Sequence, residues 1–287
     1  MSLSKNSLAK GIFLFCTAAS AAVTLLVLVF MFLLGLPLLE GRTFYSLWGE
    51  QWEPHAGLYG ILPMVAGTLW IALLAACLSL PLSLGAAGVM TSLGGPGVRR
   101  LLQLMVRFMT GIPTVIYGFA AIFLLVPFMR QSLGGAGLSV LTAGMVLAIL
   151  ISPTMILFMA DSLAAVDPAH VQAARALGAS RVQRLLYVKL PQALPGMVSG
   201  FVLGLGRALG DTLIALMLAG NAIAVPGGFL APARTLTAHI ALVKAADFNS
   251  PAFRSIFACG IILYLFTTAA VLCVRLISHT YGEAGRA

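Results

Sequence analysis

The sequence predicts an all-α integral membrane protein with six transmembrane helices. Hydrophobic residues make up 60% of the 287 positions and charged residues 9%, where an ordinary soluble domain carries about 25% charged. So few charges do not cover the surface of a soluble protein of this size. The apolar residues gather into six runs long enough to cross a bilayer. The basic residues, which give a net charge of +9, collect mainly on one side of those runs.

The first span is expected at about residues 11–39, after Lys5 and Lys10; it is too long for a signal-peptide core and is read as uncleaved. Residues 40–60 are polar and acidic (Glu40, Glu50, Glu53), with Tyr45, Trp48, Trp52 and Tyr59 as expected interface anchors. A second span covers about 62–91 and is broken by Gly94-Gly95-Pro96-Gly97, with Arg99 and Arg100 beyond. The third, about 104–129, contains Gly111-Ile112-Pro113 and Tyr117-Gly118, read as a kink or a close packing contact. Gly134-Gly135-Ala136-Gly137 forms a loop before the fourth span, about 140–160. The fifth is expected at about 194–220 and the sixth at about 256–277.

Six spans put both termini on one side of the membrane. Lys5, Lys10, Arg99, Arg100, Arg107, Arg175, Arg181, Arg184, Lys189, Arg275 and Arg286 fall on that side. Arg42, Arg130, Arg234, Lys244 and Arg254 fall on the other. The positive-inside rule then makes both termini, and the 161–193 loop, cytoplasmic. Cys16, Cys77, Cys259 and Cys273 lie in apolar runs without Cys-x-x-Cys spacing, as packing residues do; neither a disulfide framework nor a metal site is expected.

The 161–193 loop has its own helix signals. Asp167 is placed to cap a helix with Pro168 at its first position. Gly178 supplies a left-handed residue to end it after Leu177, and Ser180 with Gln183 forms a capping box for a second short helix. The small residues Ala173 and Ala174 permit close approach of another surface. Ala174-x-x-Leu177-Gly178-x-Ser180 also matches helix–turn–helix DNA readers. Membrane tethers at both ends, the lack of a third helix and the lack of clustered base-reading side chains argue against that reading.

Gln172-Ala173-Ala174-x-x-x-Gly178, nine residues, then Val188-x-Leu190-Pro191 resembles the cytoplasmic loop of ATP-binding-cassette importer permeases. The family pattern there is Glu-Ala-Ala-x-x-x-Gly, nine residues, then Ile-x-Leu-Pro, so this chain departs at Gln172. The resemblance implies a type I importer permease fold whose loop docks on an ATPase, with Gln172, Ala173, Ala174, Gly178, Leu190 and Pro191 in the coupling segment. Ile112-Pro113-Thr114-Val115-Ile116-Tyr117-Gly118, Leu190 to Gly196, Gly206-Arg207-Ala208-Leu209-Gly210-Asp211-Thr212 and Ala219-Gly220-Asn221 are similar to phosphate-importer permeases, the PstC type more than its PstA-type partner. That similarity spans about residues 60–277. It divides the chain into an N-terminal helix with an external acidic loop (1–60), the importer transmembrane domain (61–277) and a cytoplasmic tail (278–287). The family usually has Glu where this chain has Asp211.

Arg207 falls thirteen residues into the expected fifth span, roughly 20 Å along a helix and so near mid-bilayer. A charge there costs at least about 2.5–3.5 kcal/mol on insertion scales and usually marks a pathway. On a continuous helix Arg207 and Asp211, four apart, share a face. The guanidinium fork fits phosphate oxygens. Asp211 is placed to accept a hydrogen bond from a protonated phosphate while repelling fully ionised sulfate. Arg207, Asp211 and Thr212 are therefore the expected translocation residues. The plainer alternative is that Arg207 and Asp211 only neutralise each other.

Other classes remain to be weighed. An intramembrane aspartyl protease built on Asp161 and Asp211 lacks the Gly-x-Gly-Asp and Tyr-Asp signatures and needs its carboxylates in contact. A passive channel leaves the docking loop without a purpose. Another oxyanion, sulfate or molybdate, is a closer alternative. No Gly-x-x-x-x-Gly-Lys-[Ser/Thr] phosphate loop occurs, so ATP is expected on a separate subunit and no cofactor on this one. The resemblance implies a second PstA-type permease subunit, two PstB-type ATPases and an external PstS-type phosphate-binding protein.

Overall fold

The structure, a computed structural model, describes residues 2–39, 47–243 and 250–284. Glu40, Arg42, Tyr45, Lys244 and Arg286, which entered the charge and anchor assignments, lie outside the described residues. The chain opens with α1 (Ser2–Leu39) and a small antiparallel hairpin, β1 (Trp52–Glu53) and β2 (Leu58–Tyr59). α2 (Leu62–Gly88) widens into a π turn at Val89–Leu93. Then come α3 (Pro96–Gly111), α4 (Thr114–Leu133) and α5 (Val140–Ala164). Two short helices, α6 (Pro168–Ala176) and α7 (Arg181–Arg184), precede a π turn at Leu185–Lys189 that runs directly into α8 (Leu190–Gly210). α9 (Leu213–Leu218), α10 (Leu236–Val243) and α11 (Pro251–Ala284) complete the chain.

Among the described residues, six helices are long and apolar enough to cross a membrane: Lys10–Gly35, Leu62–Leu93, Thr114–Leu133, Val140–Ala164, Arg181–Gly210 and Ala252–Cys273. The protein is a multi-pass, all-α membrane protein. Two span boundaries differ from expectation. The third span begins at Thr114 and not near residue 104, because Ile112 is held extended (ψ 125°) ahead of Pro113, as steric clash with a following proline ring dictates. Residues 96–111 form a separate helix.

The fifth span begins at Arg181 and ends at Gly210, where an unbroken helix to Gly220 was expected. At its near end the helix runs through Leu190-Pro191 without a break. Leu190 N–H donates to Leu185 C=O, five residues back, so the helix widens just before Pro191 and continues through it. At its far end Asp211 is extended (ψ 127°) and the helix stops.

α5 is the centre of the bundle, with Leu147, Ile151, Met155, Met159 and Leu163 fully buried between α2 and α8. Gly196, Gly200 and Gly204 form a stripe along α8 that lies on Ser162, Phe158 and Met155 of α5. The residue numbers run in opposite directions, so the two helices are antiparallel. Without a hydrophobic driving force inside a membrane, such small-residue contacts supply the van der Waals packing that holds helices together. At the start of α5, Ser139, Val140 and Leu141 N–H donate to the carbonyls of Leu218, Ala231 and Phe229 at 2.8–3.0 Å. The irregular 219–233 segment thereby satisfies backbone groups that a bilayer cannot.

Candidate functional site

Arg207 and Asp211 do not share a helix face and do not form an ion pair. Asp211 follows the end of α8 and its carboxylate caps the next helix: Oδ1 accepts from Ile214 N–H at 2.9 Å. Its backbone carbonyl accepts from the Thr237 hydroxyl at 2.9 Å, which ties the break to α10. Thr212 is the residue before α9 and its carbonyl accepts from Leu216 N–H at 2.9 Å. Each of the two side chains is therefore hydrogen-bonded to a partner other than the opposite charge.

Arg207 sits one turn before the break, exposed on this subunit, and its Nη1 donates to Thr154 Oγ1 of α5 at 2.8 Å. The glycine stripe explains the reach. Gly204 rests on Met155, so the next outward residue of α8 lies beside Thr154. Gly206 and Gly210 flank Arg207, and a Cβ at either would meet nothing within 4 Å. The guanidinium therefore opens onto free space and not into packed side chains. The fifth span runs from Arg181 to Gly210, so Arg207 lies near its end and not at mid-bilayer as expected; a pathway or a partner-facing surface is still the physical setting of a cation within a span.

The motif expected as a kink supports the same place from the other side. The Tyr117 hydroxyl donates to Met109 C=O at 3.0 Å, bridging the break between α3 and α4. Gly118 faces Met217 of α9. Asn221 takes a left-handed backbone (φ 54°), donates from Nδ2 to Leu216 C=O at 2.7 Å, and accepts at its own carbonyl from Arg234 Nε at 3.1 Å. Sequence reasoning missed Thr154, Thr237 and Arg234. Arg234 was visible as a cation beside an apolar run; the other two are hydroxyl residues whose partners lie 53 and 26 positions away.

His239 is fully buried in α10. Trp52, expected as an interface anchor, stands edge-on against its ring at 4.3 Å. The two aspartates of the protease alternative occupy different sites. Asp161 lies about two helical turns from Thr154 toward the α6 end, in a recess shared with Arg107 and Lys189, whereas Asp211 lies on the opposite side of Arg207 along α8.

The 165–180 connection matches its local signals closely. Asp167 Oδ1 accepts from Ala169 N–H at 2.8 Å, Gly178 takes φ 80°, and the capping box closes at both ends. Ser180 N–H donates to Gln183 Oε1 at 2.8 Å and Gln183 N–H to Ser180 Oγ at 3.2 Å. Gln172 and Ala173 are exposed, Ala174 half-buried, and Leu177 is 89% exposed. Leu190 and Pro191 lie on α8, not in a free loop, so the segment's far end moves with the fifth span.

A six-span bundle with a polar break in one helix and an exposed short helix at one end has the architecture of a transmembrane permease. The chain belongs to the family of binding-protein-dependent transport system inner membrane components, which it matches over residues 79–281. It is 32% identical to the probable ABC transporter permease protein YqgH of Bacillus subtilis, over 79% of this chain and 75% of that one. It is 30% identical to the phosphate transport system permease protein PstC of Pasteurella multocida, over 82% and 79%. Among solved structures, the bacterial alginate ABC transporter superposes with a TM-score of 0.66 at 14% identity, covering 95% of this chain and 96% of that one. The inward-facing MetNI methionine transporter superposes with a TM-score of 0.60 at 20% identity, covering 79% and 99%. These last two establish the fold.

Proposed function

We propose that this chain is the PstC-type permease subunit of an ATP-driven importer of inorganic phosphate. The relatives named phosphate transport system permeases, from several organisms and at about 30% identity, support the substrate class. The observation that carries the mechanism is Arg207: a guanidinium one turn before the end of the fifth span, steadied by Thr154, flanked by glycines and left without a carboxylate partner among the described residues. Its remaining donors suit a tetrahedral oxyanion. Asp211 and Thr212 complete the break, with the Asp211 charge set against a fully ionised competitor such as sulfate.

The chain forms half of the path and a PstA-type subunit the other half. Two PstB-type ATPases drive it, docking at the 165–180 connection, and a periplasmic or lipid-anchored PstS-type protein delivers phosphate. The setting is the bacterial cytoplasmic (inner) membrane with both termini cytoplasmic, as the positive-inside bias supports. Because the helix is continuous from Arg181 to Gly210, a displacement of α7 reaches Arg207 along one element, through the π turn at Leu185–Lys189. Coupling then requires the ATPases to make different contacts with two positions of that element.

Two experiments test this reading. Uptake of phosphate, arsenate, sulfate and molybdate by the reconstituted complex is expected to favour phosphate and arsenate; preference for sulfate or molybdate would reassign the substrate. A cysteine at Ala174 is expected to crosslink to the ATPase subunit in an ATP-sensitive manner, and a verified complex giving no such crosslink would remove the docking role.

A further inference from the structure

A second basic feature lies at the α6–α7 end of the bundle, away from Arg207. A recess of about 750 Å³ opens between the α2–α3 turn and α7, lined by Gly94, Pro96, Arg99, Arg100, Arg181 and Arg184 among others, with no acidic residue on its wall. Arg99 is spent on its own turn, donating to the carbonyls of Gly94 at 2.9 Å and Thr91 at 3.2 Å. Among the described residues no hydrogen-bond or ion-pair partner occupies Arg100, Arg181 or Arg184. Three guanidinium groups converging on one opening, from two separate elements, repel one another unless an anion stands between them.

The helix that forms one wall shows which anion. α3 carries Arg99, Arg100, Gln103 and Arg107 on one face and the exposed apolar residues Val98, Leu101, Met105 and Phe108 on another, at helical spacing. Phe108 is 72% exposed and Leu104 65%. Too polar to span and too apolar on one side for water, such a helix lies in the interface plane of a membrane. Its apolar face then runs along acyl chains while its cationic face turns into the recess, the geometry of a headgroup pocket.

We infer that this recess binds the phosphate group of an anionic phospholipid, through Arg100, Arg181 and Arg184, and that the lipid clips the α2–α3 turn to α7. The same chemistry suits free inorganic phosphate; the apolar row of α3 is what favours a molecule with acyl chains. Because α7 is continuous with the fifth span, the clip sits on the element proposed to carry the coupling motion.

The test uses the full chain, co-purified with its partner subunits and exchanged into nanodiscs of phosphatidylcholine containing phosphatidylglycerol. Bound lipid is counted by native mass spectrometry after mild detergent release. R100Q/R181Q/R184Q is expected to retain phosphatidylglycerol about tenfold or more weakly than the natural sequence. R100K/R181K/R184K is expected to recover most of the retention, and R130Q/R254Q, with charges removed at the other end, to leave it unchanged. Equal retention in the triple glutamine variant overturns the proposal. So does saturable binding of inorganic phosphate to the delipidated complex that phosphatidylglycerol does not displace. Loss of ATPase-subunit co-purification from that variant, with lipid retention intact, also overturns it by making the recess a protein-docking surface.

Discussion

The guanidinium of Arg207 donates to the hydroxyl of Thr154 at 2.8 Å, across the contact between α8 and α5. This bond orients the cation from a neighbouring helix and leaves Asp211 to a different task. A hydrogen bond to a charged group contributes about 1.5–3 kcal/mol. Thr154→Val, which keeps the shape and removes the hydroxyl, is therefore expected to weaken phosphate transport roughly tenfold while assembly is unchanged. Thr154→Ser should retain most of the activity. Initial uptake rates across a phosphate titration check this, and a valine variant equal to the natural protein would assign the orientation of Arg207 elsewhere.

Asp211 carries two functions that substitution separates. Asparagine caps a helix about as well as aspartate, whereas alanine loses about 1 kcal/mol. Thermal unfolding in detergent should show Asp211→Ala destabilised by about that amount and Asp211→Asn nearly unchanged. Discrimination against sulfate is expected to fall in both, since both lose the charge. Intact discrimination in Asp211→Asn would leave the residue with its capping role alone.

The glycine stripe sets the distance between α5 and α8. A Cβ at Gly204 would stand 2.5 Å from Met155 Cγ and 2.8 Å from its Sδ. Gly204→Ala is expected to cost about 1–3 kcal/mol by overpacking and to displace Arg207 from Thr154. Met155→Ala should relieve part of that cost, so the double variant should be less destabilised than the sum of the single ones. Simple additivity in thermal melts would show that the two positions do not touch.

His239 makes the fold sensitive to acid. Both ring nitrogens are buried without a partner. Burial, and then the nearby Arg234 charge, pushes its pKa down from 6.5 to about 4. The folded state thus holds the neutral ring while the unfolded chain protonates. Stability from this residue is complete above pH 6.5 and is lost as pH falls toward 4, by about 3 kcal/mol in all. Thermal melts between pH 7.5 and 4 should show this loss, and His239→Phe should flatten that part of the profile. An unchanged slope in the variant would place the acid sensitivity on other groups.

Much of this organisation was legible before any coordinates, and the residues show why. Asp167-Pro168, Gly178 and Ser180 with Gln183 are local signals that act within a few positions, so the 165–180 connection could be read almost atom by atom. The six spans follow from hydropathy alone. The break at Asp211 did not announce itself, because Gly210-Asp211-Thr212 contains no proline and lies in an apolar run. Its signal was Asp211 three residues ahead of Ile214, a capping pattern read there as a charge pair. The Ile112-Pro113 break was marked by its proline but was taken as a kink inside one span. The glycines at 196, 200 and 204 were visible at four-residue spacing; what no local pattern supplies is that Met155 and Thr154 lie opposite them.

The central claim is that Arg207, one turn before the end of the fifth span, is the cation phosphate meets. The most direct measurement is ATP-driven phosphate uptake by the reconstituted complex carrying Arg207→Ala, with subunit assembly and ATPase activity verified in the same preparation. Loss of uptake by about a hundredfold or more, with the complex intact and ATP still hydrolysed, is the expected result, as removal of a buried-path cation from its anion implies. Uptake at the natural rate and affinity would contradict the account and return Arg207 to a structural role beside Thr154.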